Sequence, residues 1–295
     1  MGVNTVDFGG GLATAHTGRL PSPSIWKDCP WHDLKEMTNQ GPGEGPGGIC
    51  FHDDFEHFPL AGTQTTQIGH GDYKVFNTGS GTIRQVSAVN SVEQGGGILA
   101  NNVDTDNDSG SIAQSYPSLM VTGLDTNSGK LWWEARVAWT PITTNGLGWF
   151  LGLAEVEQWT LATAVPLNAW DAITNSASAI GFRKPEDDTT TYDTVYSDRA
   201  TSFTAVGDAE GTGYAAFTWV KLGMIYDPSR STDCVRFFVN GVQTTSVVSR
   251  ATLTGLTNLD ANALGMLLAI VADSAGTSGE FYMDWWRYAQ LLPTV

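Results

Sequence analysis

From Phe51 onward the pattern is of short apolar and strand-forming runs separated by polar turn clusters, a β texture throughout. It predicts strands over 51–58, 73–77, 82–88, 97–101, 111–115, 131–140 and 147–155. It continues over 179–184, 190–197, 215–227, 234–240, 242–249, 265–272 and 280–290. Most of these runs are rich in Val, Ile, Thr and aromatic residues, bounded by Gly, Asn, Asp or Ser clusters. Phe237-Phe238-Val239-Asn240-Gly241-Val242 is an apolar run entering an Asn-Gly pair, the strongest short-range hairpin signal. Helical periodicity is weak and confined to 168–175 and 256–264. Many strands and few helices predict an all-β protein built as a two-sheet jelly-roll sandwich. The absence of a fixed-period repeat argues against a propeller or solenoid.

Upstream of residue 50 the pattern fails. Gly9-Gly10-Gly11, Pro21-Ser22-Pro23 and the run Gly41-Pro42-Gly43-Glu44-Gly45-Pro46-Gly47-Gly48 interrupt helix and ladder alike. Only the stretch 25–37 has the composition for one or two helical turns. The chain therefore divides into a Gly/Pro-rich arm, 1–50, and a β domain, 51–295. Such composition fits a disordered tail, but solvated tails rarely carry two tryptophans. The alternative is an extended arm that orders against a partner, with Phe8, Ile25, Trp26, Trp31 and Leu34 as anchors.

Composition narrows the partners. The 295 residues hold 15 Lys plus Arg against 31 Asp plus Glu, a net charge of −16, while only 16% of residues are charged. The acidity comes from a shortage of basic residues. With no basic stripe, nucleic acid and anionic membrane surfaces are disfavoured as partners. The arm carries 5 acidic and 3 basic residues, leaving 26 and 12 on the β domain, so the domain is the acidic, water-facing part. The start has neither the basic nor the apolar stretch of a secretory signal, and Val6 stands where a myristoylation pattern needs Ser or Thr. The longest apolar run, 264–272, is about half a membrane span. Cys29, Cys50 and Cys234 form no Cys-x-x-Cys motif; reduced thiols are expected, with a Cys29–Cys50 disulfide as the alternative.

Several runs resemble the concanavalin A-like lectins and glucanases. Leu131-Trp132-Trp133-Glu134-Ala135-Arg136 and Gly148-Trp149-Phe150-Leu151-Gly152-Leu153-Ala154-Glu155 look like neighbouring strands of that family's front half. A strand ending in Tyr226-Asp227, the Asn240-Gly241 hairpin and the closing Glu280 to Arg287 strand are similar to its back half. More narrowly, 51–295 resembles the concanavalin A-like structural proteins of tailed-phage virions. That likeness rests on Phe51-His52-Asp53-Asp54-Phe55, on Gly96-Gly97-Ile98-Leu99 and on the turn Thr105-Asp106-Asn107-Asp108.

The glucanase likeness raises the question of catalysis. Those enzymes carry Glu-x-Asp-x-x-Glu on one strand, so that alternate carboxyls share a cleft about 5–5.5 Å apart. Here Glu155 and Glu157 have the spacing of the first two, but Glu157 stands in place of the Asp and Thr160 where the third carboxylate belongs. Glu280 and Asp284 read as a structural pair near the sheet edge or against Arg287. All five histidines lie before residue 71, and no Gly-x-Ser-x-Gly elbow exists, so a nucleophile triad lacks its parts. His52 and His57 are five apart and on a strand would face opposite ways, which disfavours a metal site. Asp104, Asp106 and Asp108 have the alternate spacing of a calcium loop, but Ser109 and Ser115 replace its Gly and Glu. An Asx-rich turn is the simpler reading. No phosphate-loop signature follows the glycine run at 41–48. The adjacent pairs Trp132-Trp133 and Trp285-Trp286 must split between the faces of their strands, into core and outer or inter-subunit positions.

No catalytic residue and no cofactor is therefore expected. The resemblance implies a virion structural protein, a decoration or cement protein on the capsid exterior, made in the host cytoplasm. Its partners would be the major capsid protein, through the arm, and itself, as a trimer at a three-fold. A carbohydrate-binding fibre or tail module and a glucanase-type hydrolase are the alternatives, the former requiring exposed aromatic platforms.

Overall fold

The computed structural model describes residues 20–31, 47–55, 61–62, 68–70, 73–77, 82–86, 98–103, 109–115, 118–123, 128–139, 147–155, 177–185, 191–200, 202–207, 218–259, 262–272 and 279–292. Strands are numbered along the chain. The first sheet contains β1 (Gly48–Asp53), β2 (Ala61–Gly62), β5 (Thr82–Val86), β6 (Ile98–Val103) and β8 (Leu131–Trp139). It is completed by β13 (Val220–Tyr226), β14 (Val235–Val239), β15 (Val242–Val248) and β17 (Gly279–Leu291). The second holds β3 (Ile68–His70), β4 (Tyr73–Asn77), β7 (Ser109–Gln114), β9 (Leu147–Ala154), β10 (Ala179–Lys184), β11 (Asp193–Ser197), β12 (Thr204–Gly207) and β16 (Gly265–Ala272). Spatial order is β15-β14-β13-β8-β17-β6-β5-β2 in one sheet and β12-β11-β10-β9-β16-β7-β4-β3 in the other. All pairings between these strands are antiparallel, and β1 lies against the second half of β17. The expected two-sheet sandwich is what the chain forms.

Alternation builds the core between the sheets. Leu131, Trp133, Ala135, Val137 and Trp139 point inward from β8, meeting Trp149, Leu151 and Leu153 of β9. Trp133 stacks on Phe182 at 6.3 Å, and Trp139 lies 5.0 Å from Trp149. Each fully buried ring of this size removes enough apolar surface from water to stabilise the fold by about 2–3 kcal/mol. The tryptophan pairs split as expected: Trp133 and Trp286 join the core, while Trp132 and Trp285 turn outward yet stay buried.

Two local sequence signals have a clear structural cause. Val239 pairs with Val242, so Asn240 (φ 50°) and Gly241 (φ 78°) form a two-residue hairpin turn with both φ values positive. In the opening motif, the Asp53 carboxylate accepts the Phe55 N–H at 2.7 Å and the Tyr73 hydroxyl. Tyr73 in turn accepts the Trp286 indole N–H at 2.9 Å. This chain of bonds pins fully buried Phe55, at φ 58°, beside Trp286 and Tyr73.

Other details differ from the sequence reading. β1 begins at Gly48, so sandwich residues start inside the segment assigned to the arm. The very short β2, β3 and β12 were not foreseen, being too brief for a period to register. A helical turn lies at α2 (Arg250–Thr254), ahead of the expected 256–264. Its determinant is a cap, Ser249 Oγ accepting the Thr252 N–H at 3.0 Å, and not periodicity. The 168–175 prediction lies outside the described residues. Among the described residues no helix is long and apolar enough to cross a membrane.

Candidate functional site

The outer face of the first sheet is where the arm and the sandwich meet. Register aligns Phe238, Gly223, Glu134, Arg287 and His52 in one row across β14, β13, β8, β17 and β1. Residues 20–31 cross this row as a strap containing the short helix α1 (Pro23–Trp26). Pro23 opens the helix, where a missing N–H costs nothing, and the next turn does not continue.

The strap is held by specific bonds. Ser24 donates its hydroxyl to the Gly241 carbonyl, and Lys221 Nζ donates to the Leu20 carbonyl at 3.1 Å. Ile25 sits over Gly223; a Cβ there would stand 2.3 Å from Ile25 Cδ1, so a larger residue would require the end of the Ile25 side chain to move. Glu134, fully buried, accepts the Ser22 N–H at 3.0 and 3.2 Å and the Trp26 indole N–H at 2.7 Å. Burial raises the Glu134 carboxyl above its usual value, opposed by the bonds from Ser22 and Trp26. Beside it, the Arg287 guanidinium lies 3.6 Å from the Trp26 ring and 4.5 Å from that of Trp31. Burial lowers Arg287 to about 10, with Glu134 acting in the opposite sense, so the cation persists at neutral pH. Its Nε makes no hydrogen bond, and the two indole faces supply the attraction instead.

Of the expected arm anchors, Ile25 and Trp26 are therefore buried in their own domain, with Trp132, Ile225, Phe238 and Ala289. Trp31 packs at the margin of that cluster. Phe8 and Leu34 lie outside the described residues. Sequence reasoning missed Glu134 as the strap's receptor. A signal was present: Trp132, Glu134 and Arg136 alternate on a strand buried on both faces, and buried charges need partners.

The other candidates fall elsewhere. Glu155 follows β9; its carboxylate accepts the Ser178 N–H at 3.0 Å and pairs through two nitrogens with Arg199. Glu157 and Thr160 lie outside the described residues. Asp284 does not pair with Arg287; beside a bulge between Met283 and Trp285 it meets Arg136 of β8 at 2.6 Å. Arg136 also stacks over Trp219 at 4.3 Å. Glu280 accepts the Tyr282 hydroxyl. His52 is exposed beside Trp285, ring centroids 6.3 Å apart. His57, Asp104, Asp106 and Asp108 lie outside the described residues. Among the described residues no group of three His, Cys, Asp or Glu could hold a metal. A cavity of about 90 Å³ among Ile49, Met120, Gln290 and Leu291 is small beside the ~300 Å³ at which ligand pockets begin.

No family model matches the chain, and no curated protein does. Solved structures do. A protein of unknown function from Shewanella oneidensis MR-1 superposes with a TM-score of 0.51 at 12% identity, covering 90% of this chain and 95% of that one. Peanut lectin gives 0.50 at 14% identity, covering 84% and 99%. An endo-1,3-β-glucanase from Streptomyces sioyaensis gives 0.49 at 15% identity, covering 86% and 99%. At such identities likeness speaks for architecture alone. The chain has the concanavalin A-like all-β sandwich fold, the fold of peanut lectin.

Proposed function

We propose that the chain is a non-catalytic structural protein of a tailed-phage virion, a decoration or cement protein on the capsid exterior. The observation that carries the non-catalytic part is the closure of Glu155, the described member of the only glucanase-like carboxylate pattern. A nucleophile or acid must be offered to substrate, whereas this carboxylate is spent on Arg199 and the Ser178 N–H. The virion part rests on the sequence resemblance of 51–295. The buried state of Trp132 and Trp285 speaks against a sugar platform at those two residues, since such a platform needs aromatic faces open to solvent.

The strap changes how docking would work. Ile25 and Trp26 root the arm on its own sandwich, beside the Asn240-Gly241 turn. The segment before Leu20, with Phe8, is then what reaches the major capsid protein, and self-association adds avidity. The acidic domain faces water and keeps crowded copies soluble.

The test is mass spectrometry of purified particles together with add-back to bare shells. The reading predicts many copies per particle, and loss of shell binding when residues 1–19 are removed while the domain stays folded. Undiminished binding by that truncation would end the arm mechanism. Turnover of a β-glucan that Glu155→Gln abolishes, or glycan binding without shell binding, would replace the reading.

A further inference from the structure

Two cysteines far apart in the plan of the fold share one corner of the strap. Cys29 follows α1, its N–H donating to the Trp26 carbonyl at 3.0 Å. Cys50 lies on β1 opposite Ala289 of β17, and Ala289 in turn lies opposite Trp132 of β8. Both cysteines pack against the cluster of Ile25, Trp26, Trp132, Ile225, Phe238 and Ala289. A charge on one sulfur is felt by the other. Both are thiols and half-buried, thus within reach of small reagents. Cys234 is fully buried within the core between the sheets, away from them.

We infer that Cys29 and Cys50 form a redox-closable pair whose disulfide locks the strap onto the sheet. The first part of the strap is already fixed by the Ser24, Lys221 and Glu134 bonds; its distal part, after Trp26, has the stacking of Trp31 on Arg287. A covalent bond to β1 would fix that distal end. Glutathione disulfide serves as oxidant. One protein thiolate attacks it and expels a glutathione thiolate; the second protein thiolate attacks the mixed disulfide and expels the other. Two S–H bonds are lost from the protein and one S–S bond forms, while two glutathione thiols gain the two protons and two electrons. Burial pushes the Cys29 thiol up to about 12. That slows its attack and makes its sulfur a poor leaving group once bonded, so closure is slow and reopening slower.

The full-length chain, equilibrated with glutathione disulfide, is measured by non-reducing intact mass, peptide mapping and hydrogen exchange. The expected product is a monomer lighter by two hydrogens, with Cys29 joined to Cys50. Amides of Ile25, Trp26 and Lys27 should then exchange about tenfold more slowly. Cys29→Ser and Cys50→Ser should each abolish both effects, and Cys234→Ser should keep both. A link between chains, glutathione adducts without a Cys29–Cys50 bond, or a bond that leaves strap exchange unchanged would overturn the inference.

Discussion

The outer face of the first sheet presents Glu134, Arg287, Trp132 and Trp285, whereas that of the second presents mainly Ala113, Phe150, Ala154, Ala179, Leu267 and Ala269, with the Arg183–Asp193 pair beside Phe150. Most of these residues are buried, but the two faces make different demands on what covers them. A carboxylate and a guanidinium beneath a cover need donors and ring faces at fixed places, and the strap supplies them through Ser22, Trp26 and Trp31. On the second face small apolar side chains dominate, and Phe203 stacks on Phe150 at 5.2 Å and lies 5.5 Å from the Arg183 guanidinium, which is itself paired with Asp193. The first face thus carries more buried polar groups for its cover to satisfy than the second.

The largest effect should come from the first face's own ion pair. Asp284→Ala leaves Arg136 buried without its carboxylate and should cost about 3–5 kcal/mol, read as a lowered midpoint in urea unfolding. Trp26→Ala removes a buried ring, the Glu134 bond and the stacking on Arg287 together. It should weaken strap docking by about 3 kcal/mol, seen as faster amide exchange over 20–31 with the sandwich strands still protected. On the apolar face, Phe203→Ala should cost only about 1 kcal/mol by the same urea assay. A loss as large as that of Trp26→Ala would erase the contrast between the faces.

The smallest effect is a pH slope. Burial holds the Glu134 carboxyl above its usual 4.5, so the folded chain binds that proton more tightly than the unfolded one. The contribution is fully present below about 4.5 and is lost as pH rises through the raised value. Wild-type stability measured against Glu134→Gln, which cannot titrate, should therefore fall from about pH 4.5 toward neutrality. Arg287 nearby, lowered only to about 10, remains charged throughout that window and does not supply the slope. An unchanged difference across the range would place the Glu134 carboxyl at its ordinary value.

What could be read from the sequence follows from how local each determinant is. The Asn240-Gly241 turn, the Tyr73, Ala179 and Gly265 strands, and the division of adjacent tryptophans all follow from alternation and turn chemistry within a few residues. The strap was not legible. Trp26 and Glu134 are 108 residues apart, and nothing near Trp26 says that its partner lies in the same chain. Aromatic residues in a Pro/Gly-rich segment look alike whether they await a neighbour or their own domain. The partner of Asp284 was hidden for the same reason, since Arg136 lies 148 residues away on β8.

Hydrogen exchange over 20–31 in wild type and in Glu134→Ala tests the central claim most directly. The account predicts protected amides at Ile25, Trp26 and Lys27 in the wild type. In the variant it predicts loss of that protection while β8, β13 and β17 keep theirs. Exchange of the wild-type strap at the rate of an unfolded peptide, or protection that survives Glu134→Ala, would contradict a strap held by that buried carboxylate.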